Sequence, residues 1–395
     1  MAQTDVAQLA INTIRTLSID AVQAANSGHP GRPMAFAPLV YTIWNRVMRF
    51  DPQDPIWPNR DRFVLSNGHA SMLLWSILYL TGTQAVNAEY ETVGEPAVTL
   101  DDIKRFRQLG SKAPGHPEYH LVSGVETTTG PLGQGIATSV GMAIAQRWLA
   151  ARYNKPEFPI FDYDIYTVCG DCCLMEGVGS EAASLAGHLG LDNLCWVYDN
   201  NHITIEGSTA VTFTEDVAAR FLGYGWNVLR VRDANDIDLI DHSLQVFRQT
   251  TGRPTIIILD SHIGYGSPHR QDTAAAHGEP LGENEVRLTK RAYGWHEDAQ
   301  FLVPNGVREH FAAGIGARGA SARRAWKRSL CQLSHEPGAA RHRDRADAAT
   351  RTAERMGSQS TGICGGSKGG CGTGRLGPGA ERPCAEHPVA PRRLR

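Results

Sequence analysis

Three short apolar runs rich in β-branched residues, 165–169, 194–198 and 255–259, alternate with stretches of helical spacing such as 176–189. A strand apolar on both faces needs helices over both, so this alternation predicts an α/β fold: a mostly parallel sheet with helices on both faces. Upstream, Val6, Leu9, Ala10, Ile14, Leu17 and Ala21 follow a helical repeat, which predicts a helix over 5–26 with one buried face, stopped by the turn Ser27-Gly28-His29-Pro30-Gly31. A further helix is expected over 136–151. Parallel sheets bind ligands at the carboxyl ends of their strands, which directs attention to the loops after Cys169 and Tyr198.

Those loops read Gly170-Asp171-Cys172-Cys173 and Asp199-Asn200-Asn201-His202-Ile203. At one sheet edge they bring a carboxylate, an amide and a backbone carbonyl, hard oxygen donors suited to Mg2+ or Ca2+ bridging a diphosphate. A helix opening near residues 174–176 would add the positive end of its dipole. Taken alone, the pair is equally consistent with two polar strand-ending turns. Four histidines shift the balance. His29, His69, His116 and His277 each sit beside a glycine, in turns where backbone can approach a ligand closely. One such histidine is usually a surface residue; four point to an active site that moves protons on oxygen-rich, phosphorylated molecules. The loop Thr127-Thr128-Thr129-Gly130-Pro131-Leu132-Gly133-Gln134-Gly135 offers backbone to cradle a cofactor.

At these residues the chain resembles the transketolases, thiamine diphosphate enzymes that move two-carbon ketol units between sugar phosphates, over about residues 4–325. Gly170-Asp171 with Asn201 is the general thiamine diphosphate signature, and the motifs at His29, His69, His116, 130–135 and His277 narrow it to this family. The resemblance implies that Asp171, Asn201 and the carbonyl of Ile203 hold the divalent cation, Mg2+ or Ca2+. It implies that His69, Gly130, Pro131, Leu132, Cys172, Asn201 and His277 contact thiamine diphosphate. His29, His116 and His277 would act on the substrate. Of these, His29 and His277 would assist proton transfer at the carbon whose bond is cleaved, and His116 would hydrogen-bond the donor near its carbonyl. Transfer from a ketose phosphate such as xylulose 5-phosphate to an aldose phosphate such as ribose 5-phosphate follows, in the pentose phosphate pathway. A homodimer is implied as well, with Glu176 and Glu181 near the subunit interface; their plainer reading is as helix-surface glutamates.

The sequence departs from this pattern in two places. Cys172 stands where the signature has its second glycine, and a β-carbon with a thiol there would crowd the diphosphate or forbid the backbone dihedral it needs, which weakens binding. The second departure is at the carboxyl end. The family continues into a pyrimidine-binding domain carrying the glutamate that activates the cofactor, whereas likeness here fades near Ala325-Trp326. No Phe, Tyr or Trp follows Trp326, and 327–395 holds 13 Lys and Arg against 6 Asp and Glu, leaving 26 against 35 for 1–326. The net charge of -2 over 395 residues is therefore the sum of an acidic domain, 1–326, and a basic low-complexity tail, 327–395.

With few large apolar residues the tail is expected to be disordered, or to come from a GC-rich gene read out of frame. Either way the chain is expected to be truncated, and weakly active or inactive alone. Two other readings stay open: the amino-terminal subunit of a split transketolase, and a noncatalytic binding module using the basic tail. The near-zero net charge and the absence of stacking aromatics in the tail argue against nucleic acid as a partner. No run of about 18 apolar residues offers a membrane span. The opening Met1-Ala2-Gln3-Thr4-Asp5 has no leader pattern, and the 8 cysteines read as reduced thiols, so a cytoplasmic protein is expected.

Overall fold

The strands, in chain order, are β1 (Arg62–Leu65), β2 (Gln84–Val86), β3 (Thr92–Pro96), β4 (Ile165–Gly170), β5 (Leu194–Asn200), β6 (Asn227–Val231) and β7 (Thr255–Asp260). In this computed structural model residues 5–335 are described; of the tail 327–395 expected to be disordered or out of frame, 327–335 are helical and the remainder lies outside the described residues. Among the described residues, β2 and β3 form an antiparallel pair, and the other strands make one parallel sheet in the order β1-β4-β5-β7-β6.

The helices are α1 (Val6–Ala25), α2 (Gly31–Thr42), α3 (Met72–Thr81), α4 (Leu100–Lys104), α5 (Gln134–Tyr153), α6 (Asp171–Met175), α7 (Gly177–His188), α8 (Val217–Gly223), α9 (Ile237–Gln249), α10 (Glu283–Ala292), α11 (Val307–Phe311) and α12 (Ala317–His335). Asp5 caps α1 by accepting the Ala7 amide at 3.0 Å, and Asn26, in the left-handed region at φ 47°, ends it.

Successive strand residues point to opposite faces, and the sheet uses this to build two cores. Tyr166, Val168, Cys195, Val197, Ile257 and Leu259 join the core formed with α1, α2, α3 and α9. Ile165, Cys169, Leu194, Trp196, Ile256 and Ile258 join the core formed with α5, α7 and α8. Each large side chain buried this way contributes about 1.5–3 kcal/mol, which is why the middle strands read as unbroken apolar runs.

The strands at the two margins are less legible. β6 carries Asn227 and Arg230 and is only half-buried, and β1 is short and opens with Arg62, so neither stands out as an apolar run. The helix α12 runs through the boundary expected at Trp326 and on to His335. Trp326 donates its indole N–H to the Ile160 carbonyl at 2.7 Å, and Leu330 and Leu333 pack into the second core.

Candidate active site

The turn that ends α1 leads straight into α2, and Gly31 at its start permits a close crossing. A β-carbon there would lie 2.4 Å from the Ala276 carbonyl oxygen, and the Gly264 amide donates to the Gly31 carbonyl at 2.9 Å. This contact lays the segment after β7 across the head of α2 and sets His277 beside His29, with ring centroids 5.8 Å apart.

Gly68, after β1, plays the same part for His69: a β-carbon would stand 2.6 Å from Thr129 Oγ1, so only glycine lets this turn rest on the 129–132 loop. The His69 ring then lies 4.8 Å from His29 and 5.3 Å from His277. The loop bearing His116 is tied to the start of α3: Ser71 Oγ donates to the carbonyls of Pro114 and Gly115 at 3.1 and 3.0 Å, and Trp75 Nε1 donates to Pro114 at 2.8 Å. His116 itself is exposed and faces Gly130. The structure thus gathers His29, His69, His116, His277 and the Gly130-Pro131-Leu132 loop from separate segments of the chain.

The acidic edge is built from the ends of β4 and β5. The helix expected to open near residues 174–176 is α7, with Glu176 as its N-cap, and ahead of it the short α6 opens at Asp171 itself. Asp171 Oδ1 accepts the Tyr198 hydroxyl at 2.5 Å, while Oδ2 is buried with no hydrogen bond. Asn201 is also buried; its Nδ2 donates to Asp199 Oδ2 at 2.7 Å, and its Oδ1 accepts the Ile203 amide at 2.9 Å. Among the described residues no three His, Cys, Asp or Glu side chains cluster as a metal site, so a cation here would rely on one carboxylate supplemented by amide and carbonyl oxygens.

Electrostatics separate the two edges. Burial, then the charge of Arg107, with His116 and Arg32 adding to it, pushes His29 down to about 4. Burial with Arg32 and His29 takes His277 to about 3, and burial with Arg32 holds His69 well below the ordinary histidine value. All three are therefore neutral at pH 7, each able to accept a proton or a hydrogen bond. Burial, together with the charge of Asp199, raises Asp171 to about 6 against the opposing Tyr198 hydrogen bond.

Cys172 is half-buried in α6, and burial raises its thiol. It is not among the positive-φ residues, so the position needs no glycine dihedral; of the two reasons for weakened binding, crowding is the one that stands.

Two site residues went unrecognised in the sequence. Arg32 is buried, and its Nε donates to Asp199 Oδ2 at 2.7 Å. Asp199 in turn accepts the Ser261 hydroxyl at 2.5 Å. A signal existed: Arg32 is the single charge at the head of an otherwise apolar helix, and Asp199 ends an apolar strand.

Whether the residues fit a charged, polar cofactor can be judged from unmet hydrogen bonds. Asp171 Oδ2, Thr129 Oγ1, His29 Nδ1 and His277 Nδ1 are all buried without a partner. Buried atoms without a partner occur elsewhere in the chain too, Trp44 Nε1 and Thr289 Oγ1 among them, but these four belong to the carboxylate, the loop and the histidines of the site, which fits a bound cation at Asp171 and a polar ligand before the histidines.

The comparisons with known proteins agree with this geometry. Residues 6–352 match the family described as transketolase, thiamine diphosphate binding domain. The transketolase of Geobacillus stearothermophilus is 51% identical over 325 residues, covering 82% of this chain and 47% of the relative. That of a Nostoc species is 49% identical over 330 residues, covering 83% and 47%. A Pichia stipitis transketolase crystallised with sedoheptulose 7-phosphate superposes with a TM-score of 0.78 at 47% identity, covering 83% of this chain and 46% of that one. The chain spans about half the length of the curated relatives it matches. The chain belongs to the transketolase family and carries its thiamine diphosphate binding domain.

Proposed function

We propose that this chain supplies the diphosphate-binding half of a transketolase active site, which transfers a two-carbon ketol unit from a ketose phosphate such as xylulose 5-phosphate to an aldose phosphate such as ribose 5-phosphate. The observation that carries the reading is the buried, unpartnered Asp171 Oδ2 on the edge that also holds Asn201, an edge that Arg32 links to the three neutral histidines through Asp199 and His69. Asp171, Asn201 and the Ile203 carbonyl would hold Mg2+ or Ca2+, and His69, Gly130, Pro131, Leu132, Cys172, Asn201 and His277 would line the cofactor. When bound, thiamine diphosphate supplies the bond-breaking chemistry of ketol transfer; position and proton traffic are left to the chain.

Unprotonated at pH 7, His29 and His277 take the sugar hydroxyl proton as the carbon–carbon bond breaks and return it when the acceptor is extended. His116, exposed at the mouth, hydrogen-bonds the donor near its carbonyl. Sugar phosphates as substrates are supported by the sedoheptulose 7-phosphate held by the Pichia relative. A homodimer is supported by the exposed apolar side chains of Trp148 on α5, Val178 and Leu185 on α7, and Leu189 at the end of α7, the helix that also carries the exposed Glu181.

Calorimetric titration of the 395-residue polypeptide with thiamine diphosphate and Mg2+ tests the cofactor site: saturable binding is expected, and its absence would sink the proposal. By itself the polypeptide should turn over little xylulose 5-phosphate with ribose 5-phosphate; a normal rate would overturn that part.

A further inference from the structure

Arg32 lies between the two edges of the site and belongs to neither of the residue sets assigned above. Its Nε donates to Asp199 Oδ2 at 2.7 Å, and Nη1 stands 3.3 Å from His69 Nε2. With its amide oriented so that the nitrogen donates to the Val168 carbonyl (3.1 Å), Asn67 presents its oxygen to Nη1 at 3.0 Å and to Nε at 3.3 Å. Nη2 is engaged by none of these. It lies over Gly170, where a β-carbon would stand 2.5 Å from it, and so beside the residue that precedes Asp171.

A guanidinium is always charged, and one held this rigidly on Nε and Nη1 has a preset direction for its remaining donors. Asp199 neutralises it, yet Asp199 is already supplied by Ser261 and Asn201, so the arginine is not needed to satisfy that carboxylate's hydrogen bonds. Burying an ion pair is costly, and a pair placed at the mouth of a strand edge beside an unpartnered carboxylate is poorly explained as a contribution to folding.

We infer that Arg32 is a further binding residue for the diphosphate group in this site: it supplies from the protein part of the positive charge that the divalent cation supplies, so that diphosphate binding here depends less on the metal than Asp171, Asn201 and the Ile203 carbonyl alone would make it. This rests on the cofactor site proposed above.

The test titrates the full chain with thiamine diphosphate, and separately with inorganic pyrophosphate, in saturating Mg2+ and in excess EDTA. The variants are R32M/D199N, which removes both charges so that neither is left buried alone, and R32K, which keeps the charge without the fork; a thermal melt confirms that each is folded. The wild type should bind both ligands in Mg2+ and, more weakly, in EDTA. The double variant should lose about tenfold or more in EDTA, the scale of a charge-assisted hydrogen bond, and clearly less in Mg2+, with R32K between. Equal losses in both arms, unchanged or tighter binding by the double variant, or wild-type binding confined to Mg2+ would each overturn the inference while leaving the cofactor site standing. A wild type that binds no thiamine diphosphate even in Mg2+ overturns the cofactor site itself.

Discussion

The two ends of the parallel sheet bury charge in opposite ways. At the amino ends, Asp61 and Asp164 immediately precede β1 and β4, and Arg49 reaches Asp61 at 2.9 Å, Asp162 at 3.0 Å and Asp164 at 3.7 Å. The Asp164 amide donates to Asp61 at 2.9 Å, and Asn59 donates to Asp162 at 2.7 Å. At the carboxyl ends, Asp171 keeps a buried oxygen with no partner, and three histidines are held neutral. At the amino ends the carboxylates are met by Arg49 and Asn59 and serve the fold; at the carboxyl ends Arg32 and Asp199 also answer each other, and what sets this end apart is the unpartnered Asp171 oxygen and the neutral histidines, an arrangement for something that is not protein.

The sharpest way to break this contrast is to mutate both ends. Arg49→Met leaves the buried Asp61 without its cation and should cost about 3–5 kcal/mol of stability in urea unfolding, the range for removing one partner of a buried ion pair. Asp171→Asn removes a charge met only by the Tyr198 hydroxyl, which an amide oxygen can still accept, so stability should hold or rise, while affinity for thiamine diphosphate in Mg2+ falls ~100-fold or more by calorimetry, about 2.7 kcal/mol. If Asp171→Asn unfolds as readily as Arg49→Met, the two ends are alike and the contrast fails.

A pH series sharpens it further. Burial and the neighbouring Asp61 raise Asp164 to about 7, and burial raises Asp171 to about 6. Each acid keeps in the folded state a proton that the unfolded chain releases near pH 4, so stability falls as pH rises, from about 4 to about 7 for Asp164 and to about 6 for Asp171. The slope is at most ~1.4 kcal/mol per pH unit per group. Between pH 6 and 7 Asp164 is the one of these two acids still titrating, against the opposite contribution of His29, His69 and His277, whose lowered values make stability rise with pH towards the unfolded histidine value. Relative to wild type, Asp164→Asn should therefore shift the slope upward there where Asp171→Asn does not. Urea midpoints at closely spaced pH values would show the wild-type slope unchanged in Asp164→Asn if this assignment is wrong.

What the sequence made legible was whatever depends on neighbours in the chain. The helix capped by Asp5, the β-branched middle strands, Asp171 and Asn201 at strand ends, and the glycine-flanked histidines all carry local marks. Arg32 with Asp199, and Arg49 with Asp162, are pairs far apart in the chain, and nothing in the spacing of either member names the other. β6 stayed hidden because a marginal strand can carry Asn227 and Arg230 without exposing a core. The short α6 ahead of α7 stayed hidden because five residues opening directly after β4 are too few to show a helical repeat.

The smallest effect concerns Cys172, the position where the resemblance implies a glycine. Because its φ is not positive, a glycine there gains nothing in backbone strain, and only the half-buried thiol's bulk is at issue. A side chain that can shift aside costs at the low end of overpacking, about 1 kcal/mol, so Cys172→Gly should bind thiamine diphosphate ~5-fold more tightly. The same change puts glycine into a helix, which costs about 0.5–1 kcal/mol of stability. The two effects have opposite signs, so tighter binding by a slightly less stable protein cannot be mistaken for a general improvement in folding. Equal affinities in the two chains, measured in the same calorimeter at saturating Mg2+, would mean that the thiol does not reach the diphosphate, and that the charges at this edge, rather than its crowding, set the affinity.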